Sequence, residues 1–207
     1  MCGRYTQTSD VKTLQKRFSL KAAPASLEPR INLTPGQMAP IIALKNGNRM
    51  GLFKWGLSPK WAKDSSAGFK MINARAETVA EKPAYKKPFQ SQRCLVPADG
   101  FYEWKKDPVR GKVPFRFTLR EERPFAFAGL WDNSTFTIIT TKPNDLVKTI
   151  HDRMPVILPE EFEEAWLNPK TSPDRLHAML APFDAAAMRH CEVTPLKKPA
   201  VDQMDLF

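Results

Sequence analysis

The residue with the clearest chemical potential is Cys2, which directly follows the initiator methionine. A methionine before a small side chain is normally excised, so the mature chain is expected to begin with an α-amine beside a thiol. Such a 1,2-aminothiol condenses with an aldehyde, because the amine gives an imine and the thiol then closes a five-membered thiazolidine ring. An α-amine titrates near pH ~7.8 and a lysine near ~10.4, so the α-amine is far more available as a nucleophile at neutral pH. Taken alone, however, a cysteine at this position is more simply an incidental residue.

The other two cysteines, Cys94 and Cys191, are expected to be small buried hydrophobic residues. Three cysteines cannot all pair, and none stands in a CxxC spacing, so the sequence predicts a reduced protein without a metal site or other cofactor. No apolar stretch approaches the roughly 20 residues of a membrane span, and the N-terminus lacks the apolar core of a signal peptide. We therefore expect a cytoplasmic protein with no membrane partner.

The charge of the chain points to an anionic partner. Its 32 Lys and Arg exceed its 22 Asp and Glu, which gives a net charge of +10. Residues 45–116 hold sixteen basic and six acidic residues, interleaved with the aromatic side chains of Trp55, Trp61, Phe69, Tyr85, Phe89 and Trp104. This composition suits a surface that neutralises phosphates and stacks on bases. Solvated lysines explain the same charge equally well, so the composition alone leaves both interpretations open.

Short elements with stiff connections must position these residues, since the chain has 19 prolines and only 9 glycines. Asn46-Gly47 between strand-like runs at 38–44 and 49–55 predicts a hairpin, and Ser9 as N-cap predicts an amphipathic helix over about 10–19. Further strands are expected at 93–97, 101–105, 113–119, 125–131, 135–141, 156–158 and 192–195, and helices at 144–150, 159–167, 173–180 and 183–189. The sequence therefore predicts one α+β domain built on a curved, barrel-like, mainly antiparallel sheet with peripheral helices.

Six short motifs, spread in order over nearly the whole chain, resemble those of the SOS response-associated peptidase (SRAP) family. They are MCGRY at 1–5, NLTPG at 32–36, WGL.P.W from Trp55, INARAET at 72–78, C.VPADGFYEWK from Cys94 and IHDRMPVIL from Ile150. The resemblance implies a nucleoid-associated DNA damage response protein that binds single-stranded DNA in a channel. It also implies that Cys2 captures abasic sites covalently, as a lyase-like enzyme does, and so shields the lesion as a DNA–protein crosslink.

The resemblance also implies a set of catalytic residues in which Cys2 is the nucleophile and Asn73, Glu103 and His151 complete the site. A carboxyl group and a histidine could open the closed hemiacetal of an abasic sugar and move its protons. An amide could orient the amine or the sugar hydroxyls. Each residue also has a plainer interpretation, since Glu103 could face solvent or pair with Lys105, His151 could cap a helix, and Asn73 could serve a turn.

For DNA, the resemblance implies phosphate contacts and groups lining the strand near the lesion. The phosphate contacts are Arg4, Arg75 and Arg153, and the lining groups are Asn32, Pro35 and Trp61. Relatives can show two adjacent aromatic residues where this chain has Trp61 followed by Ala62. A single aromatic side chain predicts weaker stacking or less ability to split a duplex.

Two other functions remain open at this point. The first is a cysteine peptidase with Cys2 as nucleophile and His151 as base, limited to self-processing of residues before Cys2. The second is a reader of single-stranded or modified DNA that forms no covalent bond.

The sequence further predicts a domain over residues 1–196 and a flexible tail over 197–207. The tail ends in a run that resembles the Gln-Leu-(Ser/Asp)-Leu-Phe peptides by which bacterial replication and repair proteins hold the sliding clamp, namely Gln203, Met204, Asp205, Leu206 and Phe207. A tail whose apolar residues fold back on the core is the alternative.

Overall fold

Two β-sheets frame the part of the chain that the computed structural model describes, residues 2–59 and 71–194. The strands are β1 (Tyr5–Gln7), β2 (Arg30–Leu33), β3 (Met38–Leu44), β4 (Asn48–Trp55), β5 (Asn73–Arg75), β6 (Arg93–Ala98), β7 (Gly100–Asp107), β8 (Gly111–Leu119), β9 (Phe125–Asp132), β10 (Thr135–Thr141), β11 (Met154–Pro155), β12 (Ile157–Leu158) and β13 (Met188–Glu192). The helices are α1 (Val11–Arg17), α2 (Pro83–Ser91), α3 (Asp145–Lys148), α4 (Glu160–Leu167) and α5 (Pro173–Ala178), followed by a 3₁₀ turn at Ala185–Ala187.

The smaller sheet has the strand order β13-β8-β7-β1-β2, with antiparallel neighbours throughout. The larger sheet follows the path β11-β10-β4-β3-β6-β9-β12, and β5 lies parallel to β10. Because β9 also pairs with β10, the strands β10, β4, β3, β6 and β9 close a ring, in which β4 and β10 are the parallel pair. This single domain of mainly antiparallel strands with peripheral helices confirms the predicted α+β class.

The predicted hairpin is present, since β3 and β4 pair from Met38 opposite Lys54 to Leu44 opposite Asn48. Asn46 and Gly47 have φ values of 54° and 99°, which is the left-handed conformation that an Asn-Gly turn adopts readily. Helix α1 is also confirmed, but its N-cap is Asp10 rather than Ser9. The Asp10 carboxylate accepts a 2.7 Å hydrogen bond from the backbone N–H of Thr13, whereas the Ser9 hydroxyl donates to Asp99.

Two apolar clusters hold the elements together. The first draws buried side chains from both sheets and packs them against each other, among them Tyr5, Trp55, Phe101, Phe117, Phe127 and Phe136. The second packs the helices on the ring and includes Leu14, Phe18, Ile42, Leu95, Phe89 and Trp166. The core between the two sheets therefore fixes the relative position of any residues they jointly present.

The C-terminal part of the described chain departs from the prediction. The expected helix at 183–189 is wrong, because the chain makes a 3₁₀ turn and then forms β13, which covers the edge of β8. The strand expected at 192–195 is wrong as well, since β13 ends at Glu192. This register places Cys191 opposite Arg116 and leaves it exposed, so the prediction of a buried Cys191 is wrong, whereas Cys94 is fully buried as expected.

Candidate functional site

The start of the chain is held against strand β7. Tyr5 pairs with Phe101 in the ladder between β1 and β7, and the N–H of Tyr102 donates a 3.0 Å hydrogen bond to the carbonyl of Arg4. This bond continues the ladder toward Glu103. Gly100 permits the close strand packing here, since a Cβ at this position would lie 2.7 Å from the carbonyl oxygen of Phe117. Cys2 is thereby fully buried in the core between the sheets.

The side chain of Asn73 binds the backbone of Cys2. The residue begins β5, opposite Ile138 of β10, so the turn interpretation of Asn73 is wrong. Its Nδ2 donates a 2.9 Å hydrogen bond to the carbonyl oxygen of Cys2. The Asn73 carbonyl in turn accepts from the Tyr85 hydroxyl at 3.2 Å. The Oδ1 atom of Asn73 is buried and has no hydrogen-bond partner within residues 2–59 and 71–194, so it can accept a hydrogen bond from a group that enters the site.

Glu103 lies in the middle of this site. It is only 2% exposed, so the interpretation of a solvent-facing strand residue is wrong. Burial raises the pKa of its carboxyl group from an ordinary value of 4.5 to about 7, and the negative charge of Asp152 adds to this effect. Near neutral pH the side chain is therefore present in both protonated and ionised forms. A group that donates a proton in one step and accepts one in another needs both forms.

His151 follows helix α3 and faces Glu103, with 3.7 Å between Nε2 and the carboxylate Oε2. Its backbone N–H donates to the carbonyl of Val147, but the C-cap of α3 is Thr149, so the interpretation of His151 as a helix cap is wrong. The N–H of Arg153 donates to Nδ1 at 3.0 Å, which places the proton of a neutral ring on Nε2, toward Glu103. Asp152 Oδ1 lies 3.0 Å from the same Nδ1 and would accept from a protonated ring. Burial lowers the pKa of the ring, which favours the neutral form.

The thiol of Cys2 lies in an environment that keeps it protonated. Burial raises its pKa well above the ordinary range, and the negative charge of Glu103 raises it further. Sγ contacts the carbonyl oxygen of Arg4 at 3.9 Å. At neutral pH the thiol is therefore a poor first nucleophile, because the thiolate is the reactive form.

The structure thus brings the four predicted catalytic residues together from both sheets. The three arginines each stand two positions after a site residue, since Arg4 follows Cys2, Arg75 follows Asn73 and Arg153 follows His151. The Arg4 guanidinium lies 5.2 Å from the ring centre of Trp104, and Arg75 is exposed at the end of β5. Asn32 in β2 and Pro35 in the turn before β3 are half-buried.

Two predicted groups lie outside the described residues. These are Trp61 and the clamp-binding run Gln203 to Phe207, with the whole tail 197–207, so their roles stay predictions. Within the described ranges, no three His, Cys, Asp or Glu side chains are grouped as a metal site would require. The same part of the chain contains no helix with the length and apolar character needed to cross a membrane.

Sequence reasoning missed Glu77, which forms a two-bond ion pair with Arg153. A surface glutamate followed by threonine gives no periodic signal. The only hint in the sequence was its place in the INARAET motif beside Asn73 and Arg75.

This fold and site define a known class of protein. The family model described as SOS response associated peptidase (SRAP) matches residues 1–198, and the chain belongs to this family. It is 46% identical over 209 residues to Abasic site processing protein YoqW of Bacillus subtilis, covering 95% of this chain and 93% of that protein. Abasic site processing protein YedK of Escherichia coli is 28% identical over 186 residues, covering 83% of this chain and 82% of that protein.

Solved structures agree with the fold. An X-ray structure of a protein from Bacteroides thetaiotaomicron matches with a TM-score of 0.84 at 30% identity, covering 93% of this chain and 92% of that one.

Proposed function

We propose that this protein binds single-stranded DNA and captures abasic sites by forming a thiazolidine crosslink through Cys2. One observation carries the proposal: Asn73 holds the backbone of Cys2 inside the site where Glu103 and His151 meet. The names of the bacterial relatives, abasic site processing proteins, support the choice of substrate. The proposal assigns the activity to residues 1–196.

The reaction starts from the open-chain aldehyde of the abasic sugar, after an aminopeptidase has hydrolysed the bond between Met1 and Cys2. The α-amine of Cys2 attacks C1′, and loss of one water leaves an imine. The S–H bond of Cys2 then adds across the C=N bond, so sulfur bonds to carbon and the thiol proton moves to nitrogen. This order, amine first and thiol second, fits a thiol whose pKa is raised by burial.

Glu103 and His151 supply the proton transfers. Opening the closed hemiacetal removes a proton from the C1′ hydroxyl and adds one to the ring oxygen, with no net change. Glu103, with a pKa of about 7, can perform either transfer, and the neutral ring of His151 can exchange protons with it. Asn73 Oδ1, which is buried and has no partner within the described ranges, can accept from the α-amine or a sugar hydroxyl.

The DNA strand would pass over Arg4 and Arg75, whose guanidinium groups suit phosphate oxygens. Asn32 and Pro35 would line the strand near the lesion, together with Trp61. Because these arginines stand two positions from Cys2 and Asn73, a phosphate bound there would hold the neighbouring sugar at the site.

A general cysteine peptidase is less well supported. Such enzymes need a thiol whose pKa is lowered by a cationic neighbour, whereas burial and Glu103 raise the pKa of Cys2. Self-processing before Cys2 stays the limited form of that activity.

The deciding experiment incubates the protein with an oligonucleotide that carries one abasic site and separates the products on a denaturing gel. We expect a band of DNA-linked protein with abasic but not intact DNA, and intact mass spectrometry should show that Met1 is absent. Cys2→Ser should lose the stable adduct, while Cys191→Ser, at an exposed position, is the matched control and should retain it. Binding without any adduct would support the non-covalent reader, and an active protein that retains Met1 would exclude the thiazolidine.

A further inference from the structure

The side chain of Arg153 fixes the connection between α3 and β11 to the rest of the fold. Its Nη1 and Nη2 atoms donate to the two carboxylate oxygens of Glu77 at 2.6 and 3.0 Å. Nη2 also donates to the carbonyl of Thr140 in β10 at 2.6 Å. The same Thr140 carbonyl accepts a hydrogen bond from the N–H of Ala76, so the segment after β5 and the segment after α3 meet at one point of β10.

The backbone of Arg153 simultaneously controls the catalytic histidine. Its N–H donates to Nδ1 of His151 at 3.0 Å, which fixes both the ring orientation and the tautomer. The side chain and the backbone of one residue thus connect Glu77 with the ring that faces Glu103. The Arg153 side chain is 15% exposed and that of Glu77 is 41% exposed, so the pair lies at the edge of the site, with the arginine on the buried side.

We propose that Glu77 is a positioning residue for His151 and that it acts through Arg153, an inference that rests on the proposed function. In this arrangement most of the Arg153 hydrogen bonds go to protein oxygens rather than outward to solvent. Both Nη atoms already donate to protein oxygens, and Nε is buried without a hydrogen-bond partner in the described ranges. The guanidinium therefore links Glu77 and β10 to the segment that carries His151, and this link is separate from the phosphate contact that the sequence also predicts for Arg153.

The test compares Glu77→Gln with the wild type in the abasic-oligonucleotide assay. The amide cannot form the charged two-bond pair, so the ring of His151 should lose its fixed orientation. We expect crosslinking to slow by up to about 100-fold, since a displacement of about 1 Å in a catalytic group can cost that much. DNA affinity and its salt dependence should stay within twofold of the wild type. Glu81→Gln, at an exposed glutamate four positions along, is the matched control and should behave as the wild type.

Arg153→Lys separates the two roles of the arginine. Lysine keeps the positive charge that a phosphate needs but cannot form the planar two-bond pair. We expect this variant to bind DNA normally and to crosslink as slowly as Glu77→Gln. Normal crosslinking by Arg153→Lys, or tighter DNA binding by Glu77→Gln at an unchanged rate, would overturn the proposal and show that Glu77 merely competes with phosphate.

A measurement without DNA distinguishes failure of this inference from failure of the proposed function. NMR titration of the three histidines, with His151 assigned through His151→Ala, reports the tautomer and pKa of its ring. The charged groups that face the ring are Glu103 and Asp152. In Glu77→Gln the ring of His151 should lose its fixed position and become more exposed. Its pKa should then rise toward the ordinary value, and the NMR signals should show a mixture of both tautomers. An unchanged titration would contradict the role of Glu77 whatever the chemistry at Cys2.

Discussion

Nε2 of His151 lies 3.7 Å from Oε2 of Glu103, although the two residues come from parts of the chain that belong to different sheets. Glu103 is part of β7 in the smaller sheet, and His151 precedes β11 in the larger one. Their distance therefore depends on how the two sheets pack. It exceeds a direct hydrogen bond of about 2.6–3.2 Å, and catalytic contacts of this kind commonly tighten when substrate binds.

Glu103→Gln should separate proton transfer from DNA binding. An amide keeps the shape of the side chain but does not titrate, so we expect near-normal affinity for single-stranded DNA and crosslinking slowed by about 10²- to 10⁴-fold. Binding is measured by fluorescence anisotropy and crosslinking by a gel time course. An equal loss of both would mean that Glu103 holds the fold or the strand rather than moving protons.

The same substitution should change how stability depends on pH. Because the folded pKa of Glu103 is raised above 4.5, its protonated form favours folding below that pH, and this contribution is lost as pH rises through about 7. The free energy of unfolding of Glu103→Gln, relative to that of the wild type, should therefore rise by about 2.5 kcal/mol between pH 5 and pH 8. Urea unfolding at both pH values measures this, with Glu164→Gln on the exposed side of α4 as control. A constant difference would show that the carboxyl group titrates alike in both states.

Asn73→Ala should loosen the start of the chain. The buried carbonyl of Cys2 would lose its donor, which costs about 1–3 kcal/mol of folding free energy. The crosslinking rate should fall with it. Asn48→Ala is the matched control, because Asn48 Nδ2 likewise donates to a backbone carbonyl, that of Phe18, at 3.1 Å. If both variants lose stability but crosslink at the wild-type rate, Asn73 has only a structural role.

Arg75→Ala should weaken binding to every sequence alike. The affinity of the wild type for single strands should fall with salt, and a plot of log affinity against log salt concentration should have a slope of about −0.7 per phosphate neutralised. The slope for Arg75→Ala should be shallower by about 0.7. Arg175→Ala, at an exposed arginine of α5, should leave the slope unchanged. A wild-type slope near zero would remove nucleic acid as the partner.

The sequence predicted those parts of the fold whose signals are local. Asn46-Gly47 specifies its own turn, and the runs of apolar, aromatic and β-branched residues in β7 to β10 are long enough to be recognised. The strands β1 and β5 escaped prediction because each has only three residues, and they are stabilised by pairing with β7 and β10. Helix α2 was missed because it contains Pro83 and Pro88, of which the first stands in its first turn, where proline is tolerated.

For the site, sequence motifs supplied residue types but not their arrangement. Glu103 follows Phe101 and Tyr102 in a strand that sequence alone leaves equally compatible with solvent exposure. Only the packing of both sheets explains its burial and raised pKa. The pairing of Glu77 with Arg153 was not predictable, since residues 76 positions apart in sequence meet only because β5 lies parallel to β10.

The closed ring of strands also has a consequence for how the protein is made. Ring closure pairs β4 with β10, and the site needs residues from Cys2 to His151. A ribosome adds about 5–20 residues per second, so His151 is synthesised roughly 8–30 s after Cys2. Until then the nascent chain lacks groups that, in the proposed mechanism, accelerate the reaction of its N-terminus. The proposed acceleration by Glu103 and His151 is thus acquired only when synthesis of the domain is nearly complete.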